Sequence, residues 1–134
     1  MLIDTSAWLD YLFFRKDDRL ETFMDNYLAN PANIISIVPI IYQEVLQGMR
    51  YEKDYRQFQE DFQFFQFHYY SNQEEAAKRA ATLYRKCRRK GVTVRKPNDC
   101  MIALFAIDLN IPLLAIDRDF KEIAKVHPLQ LVAY

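Results

Sequence analysis

Four carboxylic acids in this chain of 134 residues stand where acids are costly. Asp4 and Asp117 each follow a short apolar run, Leu2-Ile3 and Leu113-Leu114-Ala115-Ile116. Each therefore sits at the carboxyl end of a predicted strand, the edge at which open α/β sheets bind ligands. For either one alone, capping of the next helix is an equally good account. Glu44 and Asp99 fall on predicted helices. At about 100° per residue, Glu44 lies inside the apolar arc bounded by Ile40 and Ile41 on one side and Gly48 on the other, so it faces inward. Asp99 likewise opens the face made by Ile102, Ala103, Ala106, Ile107 and Leu109, whereas Asp108, about 180° away, is expected to be plain solvent-facing surface. Unpaired inward carboxylates cost several kcal/mol or stay protonated, so acids that share one sheet edge need cations to ionise. Lysine or arginine could serve, and so could a metal. With no cysteine or histidine cluster nearby, oxygen-only ligation selects hard ions, Mg²⁺ or Mn²⁺. Such ions activate water, and in pairs they stabilise the attacking and leaving oxygens of phosphodiester hydrolysis without a protein nucleophile.

The elements that must position these acids follow from hydrophobic periodicity. Buried strands are predicted at residues 2–4, 34–38 and 113–117, and helices over 6–14, 20–28, 39–49, 52–65, 73–90 and 97–109. Pro39 and Pro97 suit a first helical turn, and Gly91 suits the position just past a helix end. Buried, non-alternating strands interleaved with amphipathic helices predict an α/β domain whose parallel sheet is covered on both faces. No repeat, linker or low-complexity tract interrupts the chain, so residues 1–134 are expected to form a single domain.

The net charge is zero, yet half of the 18 basic residues lie in the acid-free stretch 76–96. On a helical wheel Ala76, Ala77, Ala80, Ala81, Leu83, Tyr84 and Cys87 share one arc, with Lys78, Arg79, Arg85, Lys86, Arg89 and Lys90 on the other. This helix leads through Gly91 and the Arg95-Lys96 pair to Asp99. Its cationic face is therefore expected to flank the acids and hold a polyanion, a merely solvated face being the plainer account. Membrane binding is disfavoured, because an alanine-dominated apolar face buries too little area to anchor in lipid. Tyr51, Tyr55, Phe58, Phe62 and Phe65 recur at helical spacing, which reads first as core packing and second as a protein-binding groove. Trp8 is expected in the core, and His68 and His127, outside any motif, are expected to be structural.

Four segments together resemble the PIN-domain family, specifically its VapC-type toxins: Leu2-Ile3-Asp4-Thr5-Ser6 with Leu9, the mid-chain helical Glu44, Pro97-Asn98-Asp99 with Ile102-Ala103, and Asp117-Arg118-Asp119-Phe120. The resemblance spans essentially the whole chain. It implies a three-layer α/β/α sandwich with a central parallel sheet of about five strands. It also implies a divalent-metal-dependent endoribonuclease, using Mg²⁺ or Mn²⁺ to cut structured RNA such as transfer or ribosomal RNA. Its implied partners are a VapB-type antitoxin and a second copy, in a homodimer and a toxin–antitoxin hetero-oligomer. By position, Asp4, Glu44, Asp99 and Asp117 match the family's acidic metal-binding quartet. Ser6 matches a hydroxyl that supports it, although Ser6 could equally begin the first helix. Asp119 matches a further acid of these toxins, but with Glu122 three residues on it also makes a helix cap and capping box, and that reading stands slightly ahead. The chain departs from the pattern at Ala115, where the family often has Thr or Ser. The missing hydroxyl is expected to cost about tenfold in metal binding or rate.

Two other functions compete. Asp117-Arg118-Asp119 superficially resembles the D-x-D of haloacid-dehalogenase-like phosphatases, but that nucleophile normally follows an early strand and no matching downstream lysine pattern is present. The main alternative is a catalytically impaired PIN-like module that binds RNA or protein. With 51% apolar and 15% aromatic residues, whole-chain disorder is excluded. Cys87 and Cys100 form no C-x-x-C pair and predict neither a disulfide framework nor a zinc site, which fits the cytoplasm. Met1-Leu2-Ile3-Asp4 lacks a basic leader, and the uncharged run 29–43 is broken by Pro31 and Pro39, so neither a signal peptide nor a spanning helix is expected.

Overall fold

Four short parallel strands organise the molecule in a computed structural model that describes residues 1–134. They are β1 (Leu2–Ile3), β2 (Ser36–Ile37), β3 (Gln66–Phe67) and β4 (Leu113–Leu114), in the order β3-β2-β1-β4. Leu2 pairs with Ser36 on one side and Leu113 on the other, and Ile3 pairs with Leu114. A parallel bridge between Leu113 and Leu131 adds a rudimentary fifth strand, its hydrogen bonds running from Leu113 N to Gln130 O and from Val132 N to Leu113 O, both 2.9 Å. The sheet thus agrees with the expected count of about five. Because the chain moves outward from β1 in opposite directions, right-handed crossovers place helices on both faces and open a crevice between β1 and β4 at their carboxyl ends.

Seven helices complete the layers. They are α1 (Thr5–Leu9), which runs on into a π-helical turn at Asp10–Phe14, α2 (Asp18–Ala29), α3 (Pro39–Gly48), α4 (Glu52–Phe62), α5 (Gln73–Arg89), α6 (Pro97–Asp108) and α7 (Arg118–Ala124). Pro39 and Pro97 take first-turn positions as expected. Asp17 caps α2 by accepting from the N–H groups of Arg19 and Leu20, and Asn72 caps α5 by accepting from that of Glu75. Gly91, at φ 74°, turns the chain away from α5 while Val92 N–H bonds back to Cys87 O. Helix α6 is buried on nearly every side, at Cys100, Ile102, Ala103, Leu104, Phe105 and Ala106, and is a central helix rather than a one-faced one. No helix is long and apolar enough to cross a membrane.

The aromatic stripe divides along its length. Phe58 and Phe62 are buried and, with Phe65, surround Trp8 at centroid distances of 5.7–5.8 Å, which fastens α1 to α4. Tyr51, at the other end, is exposed. Three expectations need correction. The predicted strand 34–38 shrinks to Ser36–Ile37, with Ile34 exposed. The predicted helix 52–65 stops at Phe62, because Phe65 N–H turns back to Phe62 O and Gln66 N–H is taken by Ile35 O, which starts β3. Asp108 is exposed, as expected, but it is not plain surface: it accepts from both terminal nitrogens of Arg79, each at 2.6 Å, and from the Tyr70 hydroxyl at 2.8 Å. The Arg79 hydrogen bonds lead in holding its carboxyl below the usual range. Helix α5 packs along α6 and brings these groups together.

The division of the stripe is testable by thermal unfolding. Phe62→Ala should destabilise by about 3–5 kcal/mol through the cavity it leaves, whereas Tyr51→Ala should stay within about 0.5 kcal/mol of the parent. Equal losses would contradict this packing.

Candidate active site

The acids gather at the mouth of the β1/β4 crevice. Asp4, 4% exposed, ends β1 and caps α1, its carboxylate accepting from Ser6 N–H at 2.9 Å and from the Ser6 hydroxyl. Helix α1 therefore starts at Thr5 under an Asp4 cap, and Ser6 does not begin it. The Ser6 oxygen in turn accepts from Ile116 N–H at 3.1 Å and Asp117 N–H at 3.3 Å. One hydroxyl thus fastens the loop after β4 to the end of β1, so the segment that follows Ala115 is tethered from the neighbouring strand end.

Glu44 is half-buried on α3 and held by two neutral donors, the Thr5 hydroxyl at 2.6 Å and the Asn98 amide at 3.2 Å. Neither donor was singled out from sequence, although each adjoins an acid in a motif quoted above. Asp99 lies in the first turn of α6, 5% exposed, with a buried Oδ2 that has no hydrogen-bond partner. Asp117 caps α7 by accepting from Asp119 N–H at 3.1 Å. This corrects the capping-box reading of Asp119: the cap is two residues earlier. The Asp119 side chain, 1% exposed, instead turns inward to accept from Arg95 N–H at 2.7 Å and Arg95 Nε at 2.9 Å. One carboxylate oxygen from each of Asp99, Asp117 and Asp119 lies within 4.8 Å of the others.

The electrostatics are uneven. Burial above all, then the Asp4 charge, pushes Asp99 up to about 7. Burial also raises Asp4, against the hydrogen bonds from Ser6. For Asp117 burial pulls the same way, but the Lys96 ammonium at 2.8 Å, Asp119 N–H and the charges of Lys96 and Arg95 outweigh it and hold the group below the usual carboxylate range. The buried, partnerless oxygen of Asp99 with an Asp117 oxygen within 4.8 Å suits a hard divalent ion, since such an ion replaces the missing partner and offsets the mutual repulsion.

The basic residues sort into two groups. Lys78 pairs with Glu74 at 2.8 Å, Arg79 is committed to Asp108, and Arg95 and Lys96 face Asp117 and Asp119. The partners of Lys78 and Arg79 lie outside the acid-free stretch, which is why that stretch looked unpaired. Arg85, Lys86, Arg89 and Lys90 are exposed and free of ion pairs. Arg88 joins them, and with Arg85 and Arg89 it lines a cleft of about 420 Å³. Part of the apolar arc of α5 is uncovered: Ala77, Ala81 and Tyr84, with Ile40, Asn98 and Met101, line an open, largely apolar depression of about 550 Å³ beside the acids.

A family model for the PIN domain matches residues 1–126. A VapC ribonuclease from Mycobacterium bovis and ribonuclease VapC11 from Mycobacterium tuberculosis are each 31% identical over 137 residues, covering 100% of this chain and 98% of their own. In three dimensions the chain is similar to VapBC2 from Rickettsia felis bound to a promoter DNA fragment, at 18% identity and a TM-score of 0.72 over 99% of this chain and 97% of that one. VapBC-1 from nontypeable Haemophilus influenzae matches at 18% identity and a TM-score of 0.72, over 98% of this chain and 95% of its own. A toxin–antitoxin complex from Klebsiella pneumoniae matches at 20% identity and a TM-score of 0.65, over 98% and 95%. At those identities the structural likeness shows a shared fold. The family match covers nearly the whole chain and agrees with the sheet order and the acids gathered at its crevice, and this chain belongs to the PIN-domain family, on its VapC branch.

Proposed function

We propose that the chain is a divalent-metal-dependent endoribonuclease, the toxin of a VapBC-type pair, that cleaves structured RNA such as transfer or ribosomal RNA. The observation that carries the reading is the buried, partnerless oxygen of Asp99, with a carboxylate oxygen of Asp117 within 4.8 Å of the Asp99 carboxylate. Asp4, Asp99, Asp117 and Glu44 would hold Mg²⁺ or Mn²⁺. When bound, such an ion supplies an acidified water and offsets charge on the reacting phosphate. Ser6 keeps Asp4 and Asp117 in register, while Thr5 and Asn98 orient Glu44. Arg85, Lys86, Arg89 and Lys90, with Arg88, offer charge-assisted contacts to RNA phosphates. The VapBC and toxin–antitoxin complexes it is similar to support a VapB-type antitoxin as partner. The uncovered apolar depression beside α5 supports a second copy of the chain, in a homodimer.

Purified, antitoxin-free protein should cut total RNA at discrete sites with Mg²⁺ or Mn²⁺ and not with EDTA. Asp99→Asn should lower the rate more than about 100-fold while the protein stays folded. Undiminished cutting by that variant would sink the assignment, and no cutting by folded parent protein with either ion would favour a PIN-like binding module.

The raised Asp99 sets a pH dependence. Its folded value exceeds the unfolded one, so its contribution to stability is present at low pH and is lost as pH rises through about 7. In EDTA, Asp99→Asn should therefore raise Tm at pH 8 by roughly 5 °C, the gain shrinking as pH falls toward about 4. In the parent protein, calorimetric Mn²⁺ affinity should climb up to about tenfold per pH unit below 7 and level off above it, as the ion displaces one proton. A flat profile would show that Asp99 is already ionised.

A further inference from the structure

Asp117 and Asp119 are saturated by the chain itself, but in two different ways. Asp119 gives one oxygen to the backbone N–H of Arg95 and the other to Arg95 Nε, at 2.7 and 2.9 Å, and it is 1% exposed. Asp117 gives Oδ1 to Arg95 Nη2 at 2.7 Å and to Asp119 N–H at 3.1 Å, and Oδ2 to Lys96 Nζ at 2.8 Å. Asp99 Oδ2 has nothing.

These bonds differ in how readily they can be released. Freeing Asp119 would strand a backbone N–H and a buried carboxylate together, and the N–H cannot leave unless the segment between Gly91 and Lys96 moves with it. The cations on Asp117 are instead the tips of long side chains, that of Lys96 being 62% exposed, and an exposed tip swings away at little cost. A divalent ion can thus recruit Asp117 by displacing Lys96, but it can recruit Asp119 only by dismantling the loop.

We propose that Asp119 is a positioning residue and not a metal ligand: it anchors the backbone at Arg95, so that Lys96 and the tip of Arg95 form a cationic clamp on Asp117 that gives way when a divalent ion binds. This rests on the metal-centre reading above and extends it. Before an ion binds, the clamp would serve as counter-ion to Asp117, and Lys96, once displaced, is left at the mouth of the crevice as a free cation facing an incoming phosphate. Ion and ammonium compete for the same carboxylate, so removing the ammonium favours the ion.

Mn²⁺ binding measured by calorimetry at pH 8, with thermal unfolding in EDTA, tests this on the full chain. Lys96→Met should tighten Mn²⁺ binding about 3- to 10-fold and lower Tm in EDTA, because a counter-ion has gone. Asp119→Asn should leave the affinity within about threefold while lowering Tm, whereas Asp99→Asn should lose most binding. An Asp119→Asn loss as large as that of Asp99→Asn would make Asp119 a ligand and overturn the proposal. Unchanged or weaker binding by Lys96→Met would show that nothing competes and overturn it as well. If Asp119→Asn does not fold, crystals of the parent soaked in Mn²⁺ decide: Arg95 still seated on Asp119 is the expected result, and an ion bonded to the Asp119 carboxylate refutes it. Absence of Mn²⁺ binding by the parent would bring down the metal centre and the clamp together, while binding with either wrong variant pattern fails the clamp alone.

Discussion

Repulsion among like charges in a water-poor crevice is the constraint from which the rest of this structure follows. Two carboxylates about 5 Å apart repel by roughly 3–4 kcal/mol at an effective dielectric near 20, and here Asp99, Asp117 and Asp119 converge within that distance with Asp4 and Glu44 beside them. The chain answers each acid differently. Ser6 donates twice to Asp4, Thr5 and Asn98 donate to Glu44, Arg95 and Lys96 meet Asp117 and Asp119 with charge, and Asp99 keeps one oxygen bare. Asp4 and Glu44 thus have neutral partners, Asp117 and Asp119 have cationic ones, and the remaining deficit is concentrated on one residue. A site built for a lysine or arginine alone would have no reason to leave that oxygen without a donor.

Placing such a site requires rigid supports, and the supports here are short. Each strand has only two residues, so precision comes from register and from one side chain. Pairing Ile3 with Leu114 sets Asp4 against the segment that leads to Asp117, with Asp4 N–H bonded to Leu114 O at 2.8 Å, and the Ser6 hydroxyl then ties the two strand ends together. Helix α6 contributes Asp99 from a helix buried on nearly all sides, so its first turn has little freedom to shift. The segment that Ala115 precedes is fastened through Ser6.

How far the sequence could be read depended on the range of the interaction. Asp4, Asp99 and Asp117 were legible because strand ends and helix faces are local patterns, set by residues within a few positions. The partner of Asp119 was not, since Arg95 lies 24 residues away, nor was the ion pair of the exposed Asp108, because Arg79 lies 29 away on a different helix. A helical wheel sees one helix at a time and cannot report what another brings to its surface. Nor does a wheel show which apolar residues are covered: on α5, Ala77 and Ala81 lie on the apolar arc but are exposed. Strand β3 is not evident for a related reason: it lies in the aromatic segment 64–70, whose start the helical spacing of Phe58, Phe62 and Phe65 assigns to a helix, and its order comes from hydrogen bonds to β2.

Pairing with acids outside the stretch changes the meaning of the basic segment. Of its nine cations, Lys78, Arg79, Arg95 and Lys96 are bound to acids of the chain, which leaves Arg85, Lys86, Arg88, Arg89 and Lys90 at the carboxyl end of α5. Cations there also complement the helix dipole, so they can crowd together with less penalty than at the other end. With a net charge of zero, the molecule has no global field to attract a polyanion. Attraction must come from this local cluster, and it reaches only about a Debye length, near 8 Å at physiological salt. An RNA backbone would therefore be held first by the free end of α5 and then delivered along the chain through Gly91 to the clamp at Arg95 and Lys96. On the proposed reading the free cations would gather the phosphate backbone, and the paired ones would yield Asp117 to the divalent ion that meets it.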